Sequence, residues 1–328
     1  MNQKTHSVVV TDNGGPEVLE WVETDLREPG PGEVLVRHTA VGLNFIDVYH
    51  RVGLYPMDLP FTPGVEAAGT VTSVGAGVDD LQPGERVAYT GNGPPGSYCE
   101  SRVLPRSRLV KLPDGIEDDI AAAIMLKGCT VEYLVRRTYP VSEGDRVLLH
   151  AAAGGVGLIA SQWLSSLGAT VIGTVGSEAK AELARANGCS EVILYQTEDI
   201  ISRVKEITDG RGVHVVYDSV GAATFEASIG SLRPRGMMVT YGNASGPVPP
   251  MSPLILAQNG SLFLTRPTLK HHYDDPTEAA DGFAALFDMV ASGRVRPHIG
   301  QRYALADARS AHRDLEARNT VGSTILTP

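Results

Sequence analysis

Between residues 147 and 241 the chain alternates short β-branched runs with helical stretches, and that rhythm limits the possible folds more than any other feature. Val147–His150, Thr170–Val175, Glu191–Tyr195, Val213–Asp218 and Met237–Tyr241 read as strands. Val156–Leu167, Glu178–Asn187, Glu198–Thr208 and Ala222–Leu232 read as the intervening helices, the first two stopped by Gly168 and Gly188. Strands this short, joined by helices, pair in parallel through right-handed crossovers. The expectation is an α/β domain with a doubly wound parallel sheet. Ser261–Thr265 adds a further strand, Ala279–Ser292 an amphipathic helix, and Ser323–Leu326 a strand in a mixed tail.

The first 125 residues have a different texture, with strands at Ser7–Val10, Val34–Val41, Thr70–Val74 and Arg86–Tyr89 set between Gly- and Pro-rich turns. They read as an all-β, barrel-like region, followed by a helix over Ile120–Arg137. A chain of 328 residues with this break fits two domains. Its net charge of −10 argues against nucleic acid or an anionic membrane as the main partner. The three cysteines, Cys99, Cys129 and Cys189, are scattered without CxxC spacing, and no apolar run has the length of a signal peptide or a membrane span. The expectation is a cytoplasmic protein with buried thiols.

Chemistry is signalled most sharply at Val147-Leu148-Leu149-His150-Ala151-Ala152-Ala153-Gly154-Gly155-Val156-Gly157, where a strand meets a helix through a small-residue turn. Gly154 and Gly155 permit close approach of a pyrophosphate, and the helix N-terminus offers it N–H groups and a positive dipole. Against the GxGxxG template the first glycine is replaced by Ala152. The next strand ends in Thr174-Val175-Gly176-Ser177 without the carboxylate that holds a ribose 2′-OH in NAD sites. Ser177 and Lys180 suit a 2′-phosphate, although Ser177 reads equally well as a helix N-cap and Glu178 stands nearby. The cofactor expected is NADPH. No HExxH, Cys/His cluster or GxSxG elbow is present, and His150 reads as a core histidine.

Several further segments run in order along the chain: Asn44-Phe45-Ile46-Asp47-Val48-Tyr49, Arg51-Val52-Gly53-Leu54-Tyr55-Pro56, Pro63-Gly64-Val65-Glu66-Ala67-Ala68-Gly69 and Leu126-Lys127-Gly128. His150–Leu158, Tyr217-Asp218-Ser219-Val220-Gly221 and Thr265-Arg266-Pro267 complete the set. Together they resemble the zinc-free quinone oxidoreductases, the zeta-crystallin-like branch of the medium-chain dehydrogenase/reductase superfamily. The resemblance implies a GroES-like domain over residues 1–125, a Rossmann domain over 126–268, and a return to the first domain over 269–328. Positions that carry zinc ligands in zinc-dependent relatives hold Leu43 or Asn44, and Val65, so the implied hydride transfer needs no metal.

The resemblance also implies site residues. Asn44 and Tyr49 would face the nicotinamide, Thr130 and Tyr133 would line the cleft, and Gly155 and Val156 would cover the pyrophosphate. Gly176, Ser177, Lys180 and Tyr195 would surround the 2′-phosphate. Val220, Asn243, Ser245, Phe263 and Thr265 would line the remaining groove, with Arg318 approaching from the tail. Asn44, Tyr49 and Tyr55 are the candidate donors to an acceptor oxygen that gains negative charge.

The reading is NADPH-dependent reduction of a quinone. The alternative is reduction of activated alkenes (enones, alkenals or enoyl thioesters), and a non-catalytic NADPH-binding or RNA-binding protein is a weaker third. A homodimer is expected, because the uncharged run Ser261–Thr265 would form a sheet edge that needs covering, so a charge at Leu262 or Leu264 would split it.

Overall fold

The computed structural model describes residues 3–91 and 93–328, and the chain forms two compact units, residues 1–127 with 297–328 and Gly128–Arg296. The first begins with β1 (Gln3–Val10) and β2 (Leu19–Leu26), an antiparallel pair. There follow β3 (Glu33–Leu43), α1 (Phe45–Arg51), β4 (Ala67–Val74), β5 (Arg86–Tyr89), β6 (Ser101–Pro105) and β7 (Val110–Lys111). The helix α2 (Asp118–Tyr133) then leads into the second unit and ends in a π-helical turn at Leu134–Thr138. Helix α1 escaped the sequence reading because it is only seven residues long, too short for a helical period to show.

The second unit alternates strand and helix as the sequence indicated. Its elements are β8 (Arg146–Leu149), α3 (Gly155–Ser166), β9 (Thr170–Val175), α4 (Glu178–Ala186), β10 (Glu191–Leu194) and α5 (Ile200–Ile207). Then come β11 (Val213–Asp218), α6 (Phe225–Ser231), β12 (Leu232–Thr240), α7 (Leu254–Gln258), β13 (Phe263–Thr265), α8 (Leu269–Tyr273) and α9 (Pro276–Ala291). All six strands pair in parallel in the order β10-β9-β8-β11-β12-β13. Strand order reverses between β8 and β11, which is where such sheets bind ligands, beyond the strands' C-terminal ends. Leu148, Ile172, Ile193, Val216 and Met238 fill the core of this unit, and each buried side chain contributes roughly 1.5–3 kcal/mol.

Two boundaries differ from expectation for local reasons. Pro234 and the left-handed Arg235 (φ 59°) prevent α6 from running on, so β12 starts at Leu232 with an irregularity before Met237. Helices α8 and α9 belong to the second unit, so the return comes at Pro297 and not at 269, and the first division falls after Lys127 and not after 125. The cause is packing on the end of α2. Tyr273 Oη donates to the buried Glu132 Oε2 at 2.9 Å, and Leu286 fills the space beside Gly128 that a Cβ would need.

The returning segment supplies β14 (Ile299–Ala304), α10 (Ala308–Glu316) and β15 (Ser323–Thr327). Strand β3 is the spine of a seven-stranded sheet: β4 runs along one side, β6 pairs with its first half and β15 with its end. Leu262, expected on an exposed edge, is buried in the core of the second unit, whereas its neighbour Phe263 is 56% exposed on β13, the outermost strand.

Candidate functional site

In the second unit the turn after β8 is closed by Ala151, a non-glycine residue at φ 55°. Ala152 stands where the template has glycine; its Cβ is accommodated because Gly173 on β9 has none, and a Cβ there would lie 2.7 Å away. Gly157 likewise leaves room for the Ala151 carbonyl, so α3 starts close against the sheet. The first-turn N–H groups of Gly155 and Val156 have no acceptor within the helix and are available to an anion.

At the tip of β9, Gly176, Ser177, Lys180 and Tyr195 are brought together. A Cβ on Gly176 would lie 2.6 Å from Tyr195 Oη, so only glycine allows the tyrosine to close over the tip. Ser177 Oγ accepts from Lys180 N at 3.4 Å, which makes it the N-cap of α4. Tyr195 is 39% exposed, and the Glu178 carboxylate is held by Arg185 at 3.1 Å on the same helix. The tip therefore carries the Ser177 and Tyr195 hydroxyls at the first turn of α4, and the Glu178 carboxylate there is paired with Arg185.

A second cluster forms beyond β11 and β12. Ser245 N and Oγ both donate to Val220 O at 2.8 Å, Ser245 Oγ accepts from Ala223 N, and Gly246 N donates to Asn243 O. Arg266, directly after Thr265, donates to Gly242 O at 3.3 Å. These loops are fixed from below by Asp218, which accepts from Val220 N, Gly221 N, Thr224 Oγ1 and Ser228 Oγ. His150 is the core histidine expected: it is buried, bonded to Thr174 Oγ1 and Ser228 Oγ at 3.0 Å, and pushed below its ordinary pKa by burial. Phe263 lies on the edge strand β13 and is 56% exposed. Thr130 is buried on α2, where the Tyr133 ring stacks on His272 at 4.5 Å, and burial raises the Tyr133 hydroxyl.

The first unit holds Asn44, Tyr49, Tyr55 and Arg318. Asn44 caps α1, and its Nδ2 donates to Glu66 Oε1 at 2.7 Å. Tyr49 is buried and meets the half-buried Tyr55 edge to face, with ring centroids 5.3 Å apart. Arg318 is exposed in a left-handed turn after α10 (φ 60°). Lys127 Nζ lies 2.7 Å from Glu66 Oε1, and Leu126 N donates to Glu66 Oε2 at 2.6 Å. Both carboxylate oxygens of Glu66 are thereby occupied by donors. Among the described residues no three His, Cys, Asp or Glu side chains form a metal-holding group, and all three cysteines are buried.

Sequence reasoning passed over Glu66 and Lys127, assigning a role to neither. The available signal was a lone charge in each of two apolar runs, Val65–Ala68 and Ile120–Cys129, which is costly unless the two meet.

Residues 30–114 match the alcohol dehydrogenase GroES-like domain and 155–273 the zinc-binding dehydrogenase domain. A quinone oxidoreductase of Pseudomonas aeruginosa is 52% identical, the match covering 96% of this chain and 97% of the relative. The chain belongs to the quinone oxidoreductases of the medium-chain dehydrogenase/reductase superfamily. A solved quinone oxidoreductase of this family, that of Escherichia coli in complex with NADPH, superposes with a TM-score of 0.96 at 45% identity, covering 98% of this chain and all of the other. A 2-haloacrylate reductase from a Burkholderia species is 45% identical over 98% of each chain. The family's GroES-like and Rossmann-type domains correspond to the two units described above.

Proposed function

We propose that the protein reduces quinones with NADPH by direct, metal-free hydride transfer. The observation that carries this reading is its similarity, over nearly the whole chain, to a quinone oxidoreductase complexed with NADPH. The residues fit that cofactor: the α3 N-terminus suits a pyrophosphate, and the β9 tip offers Ser177, Lys180 and Tyr195 to a 2′-phosphate. When bound, NADPH supplies a hydride from its nicotinamide, and with one proton this converts a quinone to a hydroquinone.

The chain's own contribution is positioning. In the second unit Val220, Asn243, Ser245 and Thr265 line the groove beyond the strand ends, with Thr130 and Tyr133 on α2. In the first unit Asn44 and Tyr49 orient the nicotinamide end, and Tyr55 faces the acceptor. The Val52 and Leu54 side chains are exposed beside Tyr55, an apolar rim suited to a quinone ring. Arg318 contributes charge to the bound cofactor. Phe263 serves assembly instead. Exposed on the outermost strand, it pairs with its counterpart in a homodimer. A reducing cytoplasm suits the buried thiols, and no helix among the described residues is long and apolar enough to cross a membrane.

Reduction of activated alkenes is the second reading, favoured by the 2-haloacrylate reductase match. Alkene reduction needs a proton delivered to carbon, whereas a quinone oxygen takes one from water. Steady-state turnover of a benzoquinone and of an enone with NADPH separates the two. The proposal predicts a larger kcat/KM for the quinone, with Tyr55→Phe retaining most of it. A preference for the enone, lost in Tyr55→Phe, would reverse the assignment.

A further inference from the structure

Asp47 has no role in the reading above, yet it is the third residue of α1, fully buried, one helical turn from Asn44 and two residues before Tyr49. Its Oδ2 accepts from Asn44 N at 2.9 Å and from Tyr98 Oη at 3.0 Å. Its Oδ1 is buried with no hydrogen-bond partner among the described residues.

Chemistry sets the direction of the bonds behind Tyr98. A guanidinium only donates, so the Arg51 Nη1 contact to His312 Nδ1 at 3.0 Å makes that nitrogen the acceptor. The proton of the neutral imidazole then sits on Nε2 and is donated to Tyr98 Oη at 3.1 Å, leaving the tyrosine proton for Asp47. Burial and the Arg51 charge hold His312 neutral, its pKa pushed down to about 3. Arg51 is itself bidentate to Glu316 at 2.8 and 3.0 Å.

The surrounding charges are already matched. Lys127 pairs with Glu66, and Arg51 pairs with Glu316. The groups facing Asp47 are Glu66 ahead of β4, Lys127 on α2, Tyr98 ahead of β6 and the first turn of α1, with Arg51 and His312 behind Tyr98. None of these is a cation left over for Asp47, so an ionised carboxylate would be a net buried charge. Burial pushes its pKa up to about 7, against the pull of the Asn44 N–H, the Tyr98 hydroxyl and Lys127, with Glu66 adding to the rise.

We propose that Asp47 works as the neutral acid, protonated on Oδ1, and is a positioning residue that holds Asn44 in its active placement and disables the site when it ionises. This rests on the reading that Asn44 serves the reduction. Ionisation strengthens the pull of Oδ2 on the Asn44 backbone, and it adds a negative charge one helical turn from Asn44, one of the three candidate donors to an acceptor oxygen that itself gains negative charge.

Two readouts test it together: kcat for benzoquinone with NADPH from about pH 6 to about pH 9, and the infrared C=O band of protonated carboxyls in the cofactor-free protein. In the wild type kcat falls as pH rises through neutrality, and one carboxyl band disappears over the same range. Asp47→Asn, an isostere of the neutral acid, loses both the band and the alkaline fall, whatever its absolute rate. Tyr98→Phe removes a donor that favours the carboxylate and moves both transitions up by about one pH unit. An unchanged alkaline fall in Asp47→Asn overturns the proposal, as does the absence of an Asp47-dependent band. If quinone reduction is robust but the band does not titrate, Asp47 alone has been misread. A titrating band in a protein that reduces no quinone overturns the functional reading, and the positioning role with it.

Discussion

Replacing Lys127 with methionine keeps the length of a side chain that is only 7% exposed and removes the cation from Glu66, which is fully buried. Breaking a buried pair from one side costs about 3–5 kcal/mol, because the remaining charge loses its partner without regaining water. Glu66 keeps its bonds from Asn44 Nδ2 at 2.7 Å and Leu126 N at 2.6 Å, which places the loss near the lower end, about 3 kcal/mol. For a unit of this size such a loss lowers the melting temperature by roughly 6–12 °C. The chain has two tryptophans, Trp21 in the first unit and Trp163 in the second, so each unit can be followed alone. In a Trp163→Phe background, urea unfolding read from Trp21 should show the loss. In a Trp21→Phe background, the Trp163 transition should stay in place. Adding Glu66→Gln to Lys127→Met removes the stranded charge and should recover part of the stability. A Lys127→Met protein within about 0.5 kcal/mol of its parent, or a double mutant worse than Lys127→Met alone, would refute the reasoning.

Three further outcomes follow from named residues. NADPH should bind at least about tenfold more tightly than NADH, since a charge-assisted phosphate contact contributes about 1.5–3 kcal/mol, and Lys180→Ala should narrow the gap in calorimetric titrations. Activity should survive exhaustive chelation, because the donors around Glu66 leave it no free oxygen for zinc; loss with EDTA and rescue by zinc would contradict this. The wild type should sediment at twice the 34.8 kDa chain mass, and Phe263→Asp should return it to monomer with the fold intact, whereas Leu262→Asp, a core change, should unfold the second unit.

The parallel sheet was legible because its signals are local: β-branched runs, the Gly168 and Gly188 stops, and a small-residue turn at a strand end. The cluster at the tip of β9 was legible for the same reason, since Gly176, Ser177 and Lys180 are near neighbours in sequence and only Tyr195 arrives from the end of the next strand. Contacts set by tertiary packing were not. The return point moved from 269 to 297 because Tyr273 and Leu286 pack on Glu132 and Gly128, a preference that no local pattern encodes. Leu262 and Phe263 have similar β-propensity, and only the sheet's edge decides which one faces inward. The Asp47–Tyr98–His312–Arg51 chain joins residues up to 265 positions from their partners, as Arg51 does with Glu316, and no spacing rule reaches that far.

The reaction proposed for this chain is two-electron hydride transfer to a quinone without a metal. It is tested most directly by anaerobic turnover of chelator-treated protein with excess benzoquinone and NADPH deuterated at the transferred position, followed by product analysis and electron paramagnetic resonance. The expected result is one hydroquinone formed per NADPH consumed, a primary isotope effect on the single-turnover rate, and no enzyme-dependent semiquinone signal. Semiquinone accumulating at two per NADPH, or a rate insensitive to deuterium and dependent on added metal, would contradict it.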